Sequence, residues 1–270
     1  LDLETQEESN AVLPFHKEFQ RIEFRNVWFK YPESDRYILK NISFILDAKH
    51  CYAIVGLNGS GKTTIIKLLL KLYEPDKGGI YIDGINLKDI DTKDYQRNLG
   101  AVFQDFVKYP LTVQENIGCG NISEIDNIHL IHEAAKKSGA DEFIPELPEK
   151  YDTQLHREWS GGVQLSLGQW QKIAISRVFM NDFPIVVLDE PTASLDPKAE
   201  YEIYCKFRGL MEGRTSILIA HRFSTVKLAD KIFVLQNGTI IESGSHEELM
   251  KLNGEYAALF NLQAEAYQEV

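Results

Sequence analysis

The run GLNGSGKTT at residues 56–64 restricts the fold of this chain more than any other feature. Its closely spaced glycines let the backbone curl so that several N–H groups point inward, which side chains would obstruct. The apolar residues 50–55 before the run are typical of a buried strand, and residues 65–72 after it are typical of a helix. Strand, glycine-rich loop and helix in this order predict an α/β fold with a phosphate-binding loop.

The residues at the end of the loop have the chemistry that a nucleoside triphosphate requires. Lys62 can place a positive charge at the β- and γ-phosphates, and the Thr63 hydroxyl can bind Mg²⁺. The alternative is a glycine-rich turn without a ligand, which the flanking strand and helix disfavour. The predicted phosphate-contacting residues are Gly56, Leu57, Asn58, Gly59, Ser60, Gly61, Lys62, Thr63 and Thr64.

Composition excludes several classes of protein. The 29 basic and 40 acidic residues give a formal charge of −11, which argues against nucleic acid as the main partner. The three cysteines, Cys51, Cys119 and Cys205, are far apart and lack metal-ligand spacing, so we expect reduced thiols. No apolar run approaches eighteen residues, so we expect no membrane span within these 270 residues.

Hydrophobic patterning predicts an α/β core that is interrupted by helices. We expect residues 1–19 to be a linker or tail, and residues 20–270 to form one domain with a helical subdomain at about 106–180. Within the helical part, residues 125–137 and 169–179 have the amphipathic pattern of helices. Asn237-Gly238 between two apolar runs predicts a β-hairpin. The remaining predicted strands are 22–29, 42–46, 79–83, 101–103, 185–188 and 216–220, with helix from His246 onward.

Four polar residues that follow predicted strands are candidates for the chemistry. Asp189 ends the buried run IVVLD and can reach Mg²⁺, and Glu190 can act as a general base or orient the attacking water. His221 follows the next strand and can contact the γ-phosphate. Gln104 lies between a strand and the helical part, where its amide can touch Mg²⁺ or the attacking water. Each of these residues has a structural alternative: surface acids, a packed histidine and a loop amide.

The order of these motifs resembles the nucleotide-binding domain of an ABC transporter, over about residues 20–260. The phosphate-binding loop matches Walker A, Gln104 the Q-loop, LSLGQ at 165–169 the signature, and IVVLDE at 185–190 Walker B. Asp196 in ASLD matches the D-loop, and His221 matches the switch histidine. The resemblance implies a P-loop NTPase core with a mainly parallel sheet, an antiparallel β subdomain and an inserted α-helical subdomain. It also implies that ATP and Mg²⁺ are bound, with Mg²⁺ organised by Thr63, Gln104 and Asp189.

The family resemblance also implies a dimer in which the signature of one copy faces the Walker A loop of the other. Ser166 can cap the helix that follows it, and Gly168 leaves its backbone N–H open, so Ser166, Gly168 and Gln169 are candidate ATP contacts together with Asp196. Leu167 stands where the usual signature has glycine. The implied partners are a second nucleotide-binding domain, a homodimer being expected, and the transmembrane domain of the transporter.

Other stretches resemble the exporter type of the family. Tyr31 in FKYP is expected to stack on adenine, with Ile38 beside the base or ribose, although Tyr31 also fits a buried strand residue. FQDFVKY at 103–109 and QWQKIA at 169–174 resemble bacterial peptide exporters, including lantibiotic exporters. The loop HREWSGG at 156–162 departs from the exporter pattern, although Glu158 is still a candidate contact to the membrane domain.

Three functions fit this pattern. The leading hypothesis is the motor domain of an ABC exporter, in which two copies dimerise around two ATP molecules and hydrolyse them to export a substrate, a peptide being expected. Its catalytic residues would be Glu190, His221, Gln104 and Lys62, and it would work at the cytoplasmic face of the membrane. This fragment is itself expected to be soluble, and to follow an upstream membrane domain. The alternatives are an ATP-gated binding module with little turnover, which Leu167 favours, and a soluble ABC ATPase without a transport role.

Overall fold

The computed structural model describes residues 13–156, 162–189, 209, 211–219, 226–227 and 229–268. Two compact units divide the chain. The first contains the described residues of Leu1–Leu99, Pro184–Val187 and Gly213–Val270, and the second contains those of Gly100–Phe183 and Leu188–Glu212.

Ten strands form two sheets in the described part of the chain. A four-stranded sheet has the order β2-β1-β4-β5, and its pairs are antiparallel. A six-stranded sheet has the order β10-β9-β3-β8-β7-β6, in which β3 is parallel to β8 and to β9. The strands are β1 Arg21–Phe29, β2 Leu39–Asp47, β3 Cys51–Val55, β4 Lys77–Ile82, β5 Ile85–Asn86, β6 Leu99–Val102, β7 Ile185–Asp189, β8 Thr215–Ile219, β9 Lys231–Gln236 and β10 Thr239–Gly244.

Seven α-helices join or flank these strands in the described residues. Helix α1 begins at the end of the glycine-rich loop, and α5 begins at the signature-like run. Short 3-10 turns lie between them, mostly in the second unit. The helices are α1 Lys62–Leu69, α2 Thr92–Gln96, α3 Val113–Gly118, α4 Ile128–Ser138, α5 Leu167–Phe179, α6 His246–Leu252 and α7 Glu255–Gln268.

Aromatic side chains join the two sheets within the first unit. The rings of Phe24 on β1 and Phe44 on β2 stack with centroids 4.4 Å apart, and Phe44 lies 4.8 Å from Phe233 on β9. All three are buried, because alternate residues of β1 and β2 face the core. This packing holds the antiparallel sheet against β9. Strand β9 pairs with β3, and the glycine-rich loop follows β3.

The second unit has its own apolar core, formed mainly by α3, α4 and α5. Trp170 on α5 is 1% exposed and lies at the centre of this cluster with Ile173. The amphipathic pattern of α4 places Ile131, Ala134 and Ala135 on the same buried face. A core separate from that of the first unit makes this part of the chain a distinct compact body.

The structure confirms the α/β fold and the types of the predicted elements, but it shifts some of their bounds. The helix expected over residues 65–72 begins three residues earlier, at Lys62, and ends at Leu69, where the chain turns towards Lys71 with its left-handed φ of +55°. The hairpin turn is present, with φ of +50° at Asn237 and +81° at Gly238. In the predicted linker, the described residues include Phe15 and Phe19, which are buried. No helix among the described residues is long and apolar enough to span a bilayer.

Candidate functional site

The glycine-rich loop between β3 and α1 has a backbone that other residues adopt with difficulty. Its φ angles are +148° at Gly56, +77° at Gly59 and +110° at Gly61. A Cβ at Gly56 would overlap the carbonyl oxygen of Leu235, whereas a Cβ at Gly59 would meet nothing within 4 Å. Gly56 is therefore required for space as well as for its angle, and Gly59 for its angle alone.

The Lys62 side chain lies inside this loop. It is 5% exposed, and its Nζ donates hydrogen bonds to the Gly56 carbonyl oxygen at 2.8 Å and the Leu57 carbonyl oxygen at 3.2 Å. Lys62 is also the first residue of α1, whose N-cap Gly61 provides no side-chain hydrogen bond. The loop thus combines a positive charge with the positive end of a helix, which is the arrangement that binds anions.

The other residues of the loop divide into exposed and buried side chains. Leu57, Asn58 and Thr63 are exposed, whereas Ser60 and Thr64 are each 5% exposed. The Ser60 hydroxyl has no hydrogen-bond partner among the described residues, and the Ser60 carbonyl oxygen accepts a hydrogen bond from Gly238 N at 3.2 Å. Thr63 is therefore accessible to a ligand, and its binding of Mg²⁺ stays a prediction.

The two residues expected at the base lie beside the loop in the first unit. The Tyr31 hydroxyl is 3.3 Å from the Thr64 hydroxyl, which places the ring next to α1. Ile38 also lies next to the loop, since a Cβ at Gly61 would be 3.5 Å from Ile38 Cγ2. Both side chains are partly exposed. The structure thus brings Tyr31 and Ile38 together with the phosphate-binding loop.

Gln104 and Asp189 belong to the second unit. Asp189 is the last residue of β7 and is 5% exposed, so its carboxylate lies at the end of a buried strand, as expected. Gln104 is exposed in a turn two residues after β6 ends. Both residues supply oxygen atoms, the kind of ligand that Mg²⁺ prefers.

Helix α5 begins with a complete capping box. The Ser166 hydroxyl accepts a hydrogen bond from Gln169 N at 3.2 Å, and Gln169 Oε1 accepts one from Ser166 N at 2.8 Å. Leu167 is the first helical residue, and its side chain is 44% exposed. Leucine at this position is therefore compatible with the cap.

Four of the residues singled out in the sequence lie outside the described residues. They are Glu158, Glu190, Asp196 and His221. Their roles remain predictions.

The structure also identifies neighbours of the site that the motifs did not reveal. Lys67 Nζ lies 5.4 Å from the centroid of the Tyr31 ring. The centroids of the Tyr73 and Tyr31 rings are 5.3 Å apart, in an edge-on contact. Lys67 has a sequence signal, because it lies four residues after Thr63 and therefore on the same helix face. Leu235 and Gly238 have none, since their contacts with the loop span more than 170 residues of sequence.

Comparison with known proteins identifies the class. A family model described as ABC transporter matches residues 39–193, which is more than half of the chain. The chain therefore belongs to the ABC transporter family, and the resemblance inferred from its motif order is confirmed.

The chain is also similar in sequence to individual curated members of this family. The chain is 41% identical over 251 residues to "Subtilin transport ATP-binding protein SpaT" of Bacillus subtilis, covering 93% of this chain and 41% of that protein. It is 40% identical over 257 residues to the "ATP-dependent lipid A-core flippase" of Legionella pneumophila (strain Paris), covering 95% and 43%.

A solved structure agrees with these matches. The structure described as a bacterial Atm1-family ABC exporter with ATP bound has a TM-score of 0.87 and 36% identity, covering 96% of this chain and 45% of that one. The chain thus spans less than half the length of the proteins it matches.

Proposed function

We propose that this chain is the ATP-binding and ATP-hydrolysing motor domain of an ABC exporter. Two copies would close on two ATP molecules, and hydrolysis would reopen them. The observation that supports this most directly is the buried Lys62 ammonium inside a loop of left-handed glycines at an uncapped helix start. Membership of the ABC transporter family makes ATP the expected ligand of that loop.

At the phosphate end, the loop amides and Lys62 would bind the β- and γ-phosphates. Lys62 Nζ already lies within the curl, where two carbonyl oxygens fix its position. Phosphate oxygens would replace or join these carbonyls as acceptors, so no large rearrangement of the lysine is required.

At the base end, the Tyr31 ring would stack on adenine, with Ile38 beside the base or ribose. Contacts with Thr64 and Tyr73 fix the tyrosine next to the phosphate-binding loop. Stacking on an aromatic ring is worth about 1–3 kcal/mol per base and tolerates different bases. We therefore expect Tyr31 to set affinity more than base specificity.

We infer that Mg²⁺ accompanies the ATP, because Thr63, Gln104 and Asp189 carry the oxygen atoms that this ion prefers. The Thr63 hydroxyl is exposed, the Asp189 carboxylate ends a buried strand, and Gln104 adds an amide oxygen. These three would hold the ion, which neutralises phosphate charge when bound. Glu190 would orient or activate the attacking water by accepting its proton, and His221 would donate a hydrogen bond to the γ-phosphate.

The second half of each site would come from a second copy of the chain. The capping box fixes Ser166 and Gln169 at the start of α5, where Gly168 N–H and the helix dipole favour a γ-phosphate. Asp196 would contribute at the same interface. A homodimer is the simplest form of this composite site, because each copy has both halves.

A second candidate function is an ATP-gated binding module with little turnover. The observation that favours it is the exposed Leu167 side chain at the first position of α5. A bulky group there would crowd the phosphate or the partner copy and slow closure. Replacing Leu167 with Gly decides between the two: a motor hindered by leucine would hydrolyse ATP faster, whereas a binding module would not gain turnover.

The partners in the cell would be a transmembrane domain and, as cargo, a peptide. The name of the subtilin transport relative supports a peptide, and the name of the flippase relative makes a lipid the main competing cargo. The motor would work at the cytoplasmic face of the membrane.

The concentration dependence of Mg²⁺-dependent phosphate release tests the proposal. A dimeric motor gives a specific activity that rises with protein concentration until dimers are saturated. A specific activity that is constant across concentrations, or no Mg²⁺-dependent release at all, would contradict it.

A further inference from the structure

Arg177 near the end of α5 binds the segment that follows Gln104 in the second unit. Its Nη1 donates to the Val107 carbonyl oxygen at 2.8 Å. Its Nε and Nη2 donate to the backbone and side-chain oxygens of Asn116 on α3, both at 2.9 Å. The guanidinium carbon also lies 4.8 Å from the centre of the Tyr109 ring. One side chain thus joins α5, α3 and residues 107–109.

Asn116 continues this network from α3. It is 0% exposed, and its Nδ2 donates to the carbonyl oxygens of Tyr109 at 3.1 Å, Leu111 at 3.2 Å and Thr112 at 3.0 Å. Arg177 and Asn116 therefore fix the backbone of residues 107–112 from two helices, through carbonyl groups rather than through side chains of the segment.

Of the side chains in residues 105–109, Phe106 packs against the apolar core of the second unit, whereas Val107 and Tyr109 do not. Val107 is 56% exposed and Tyr109 is 37% exposed, so neither is anchored in the apolar core. Among the described residues, no carboxylate lies within ion-pair distance of Arg177. Burial lowers the pKa of Arg177, yet a guanidinium stays protonated in proteins. The guanidinium charge is thus directed at the carbonyl oxygens of Val107 and Asn116 and at the Asn116 side-chain oxygen. Hydrogen bonds of this kind are charge-assisted and strong.

The two elements that this network joins, the segment after Gln104 and helix α5, would contact different ATP molecules. Gln104 comes three residues before Val107 and would address the ATP held by its own copy. Ser166 and Gln169 lie at the start of α5, whose last turn contains Arg177, and they would contact the ATP held by the partner copy. A rigid link between these two elements would transmit a conformational change at one bound ATP to the other bound ATP.

We propose, on the basis of the nucleotide roles proposed above, that Arg177 is a positioning residue that couples the Gln104 segment to the signature helix. Asn116 is its support on α3. Loss of Arg177 leaves both elements folded but lets residues 105–112 move independently of α5. Hydrolysis then slows, while ATP still binds, because the phosphate-binding loop and Tyr31 belong to the first unit.

The test compares Arg177→Met with Lys172→Met, which lies on the same helix and removes the Lys172–Glu142 ion pair without touching residues 107–116. Arg177→Met should speed amide hydrogen exchange in residues 105–112 but not in α4, and should lower kcat about tenfold with a nearly unchanged KM for ATP. Lys172→Met should change neither quantity. Arg177→Lys should restore part of the exchange protection, because one donor remains.

Unchanged exchange in residues 105–112 of Arg177→Met would overturn the proposal, as would equal loosening of α4. A rise in KM that accounts for the whole loss of kcat/KM would also overturn it. If Arg177→Met does not fold, Asn116→Ser gives the same exchange test and keeps Arg177. Absence of ATP hydrolysis in the unmodified chain would refute the proposed function instead, and the exchange comparison would still decide whether Arg177 positions the segment.

Discussion

Lys62 Nζ lies 2.8 Å from the carbonyl oxygen of Gly56, so the lysine that ends the glycine-rich loop folds back onto the residue that begins it. The charge is therefore in place before any phosphate arrives. Binding then requires only an exchange of acceptors, which keeps the cost of ordering a long side chain low.

Replacement of Lys62 by Met should abolish Mg²⁺-dependent ATP hydrolysis and weaken ATP binding at least about tenfold, because a charge-assisted contact to phosphate is lost. The control is Lys93→Met, which removes the same charge from an exposed position on α2. Phosphate release and fluorescent ATP titration measure both effects. Equal activities of the two variants would refute the assigned role of Lys62.

Gly56 and Gly59 should respond differently to alanine. At Gly59, alanine costs the left-handed backbone alone, about 1–2 kcal/mol. At Gly56, the added Cβ also overlaps the Leu235 carbonyl oxygen, so the loss of stability should be clearly larger. Thermal unfolding of both variants without nucleotide measures the difference. Similar melting temperatures would show that the loop does not pack on β9 as described.

Tyr31 should contribute through its ring rather than its hydroxyl. Tyr31→Ala should weaken ATP binding by about 1–3 kcal/mol, or roughly 5-fold to 150-fold. Tyr31→Phe keeps the ring and loses only the hydroxyl contact with Thr64, so its affinity should stay within about 3-fold of the original. Calorimetric titration with ATP distinguishes these outcomes. A Phe variant as weak as the Ala variant would contradict stacking.

His246 should make the first unit less stable in acid. Burial, followed by the charge of Lys227, lowers the pKa of His246, while Glu247 raises it. A histidine with a lowered pKa in the folded state stabilises it fully above its ordinary pKa of about 6.5, and this stability declines as pH falls through that value. The neutral ring fits its 2.8 Å contact with the Tyr256 hydroxyl, which can donate to Nδ1.

The difference in unfolding free energy between pH 7 and pH 5 should therefore be smaller in His246→Gln than in the unmodified chain. His129→Gln, at an exposed position on α4, is the matched control and should leave the difference unchanged. Denaturant unfolding at both pH values measures it. An identical pH dependence in the His246 variant would contradict this role.

The parts of the site that the sequence predicted are those with local signals. The Ser166 cap is predictable because a serine directly precedes the helical run, whereas the reciprocal Gln169 contact that completes the capping box is a finding of the structure. The apolar pattern predicts the start of α1 too late, because the polar residues Lys62 to Thr64 interrupt it although they form the first helical turn.

Long-range contacts were not predictable in the same way. The approach of Gly56 to Leu235 and the bonds from Arg177 to Val107 and Asn116 depend on tertiary packing, to which spacing along the chain gives no access. Asn237-Gly238 shows the difference between local and long-range prediction. The pair predicted its own hairpin, but not that Gly238 N would bind the Ser60 carbonyl oxygen of the phosphate-binding loop.

The central claim is a composite site that two copies share around ATP, and Glu190→Gln tests it most directly. Light scattering after size-exclusion chromatography, with saturating Mg²⁺ and ATP, should show a stable dimer. The dimer should retain two ATP molecules, and phosphate release should be far slower than in the unmodified chain. The double variant with Lys62→Met should remain a monomer under the same conditions. A Glu190→Gln chain that stays monomeric in saturating ATP and hydrolyses it at the unmodified rate would contradict the account.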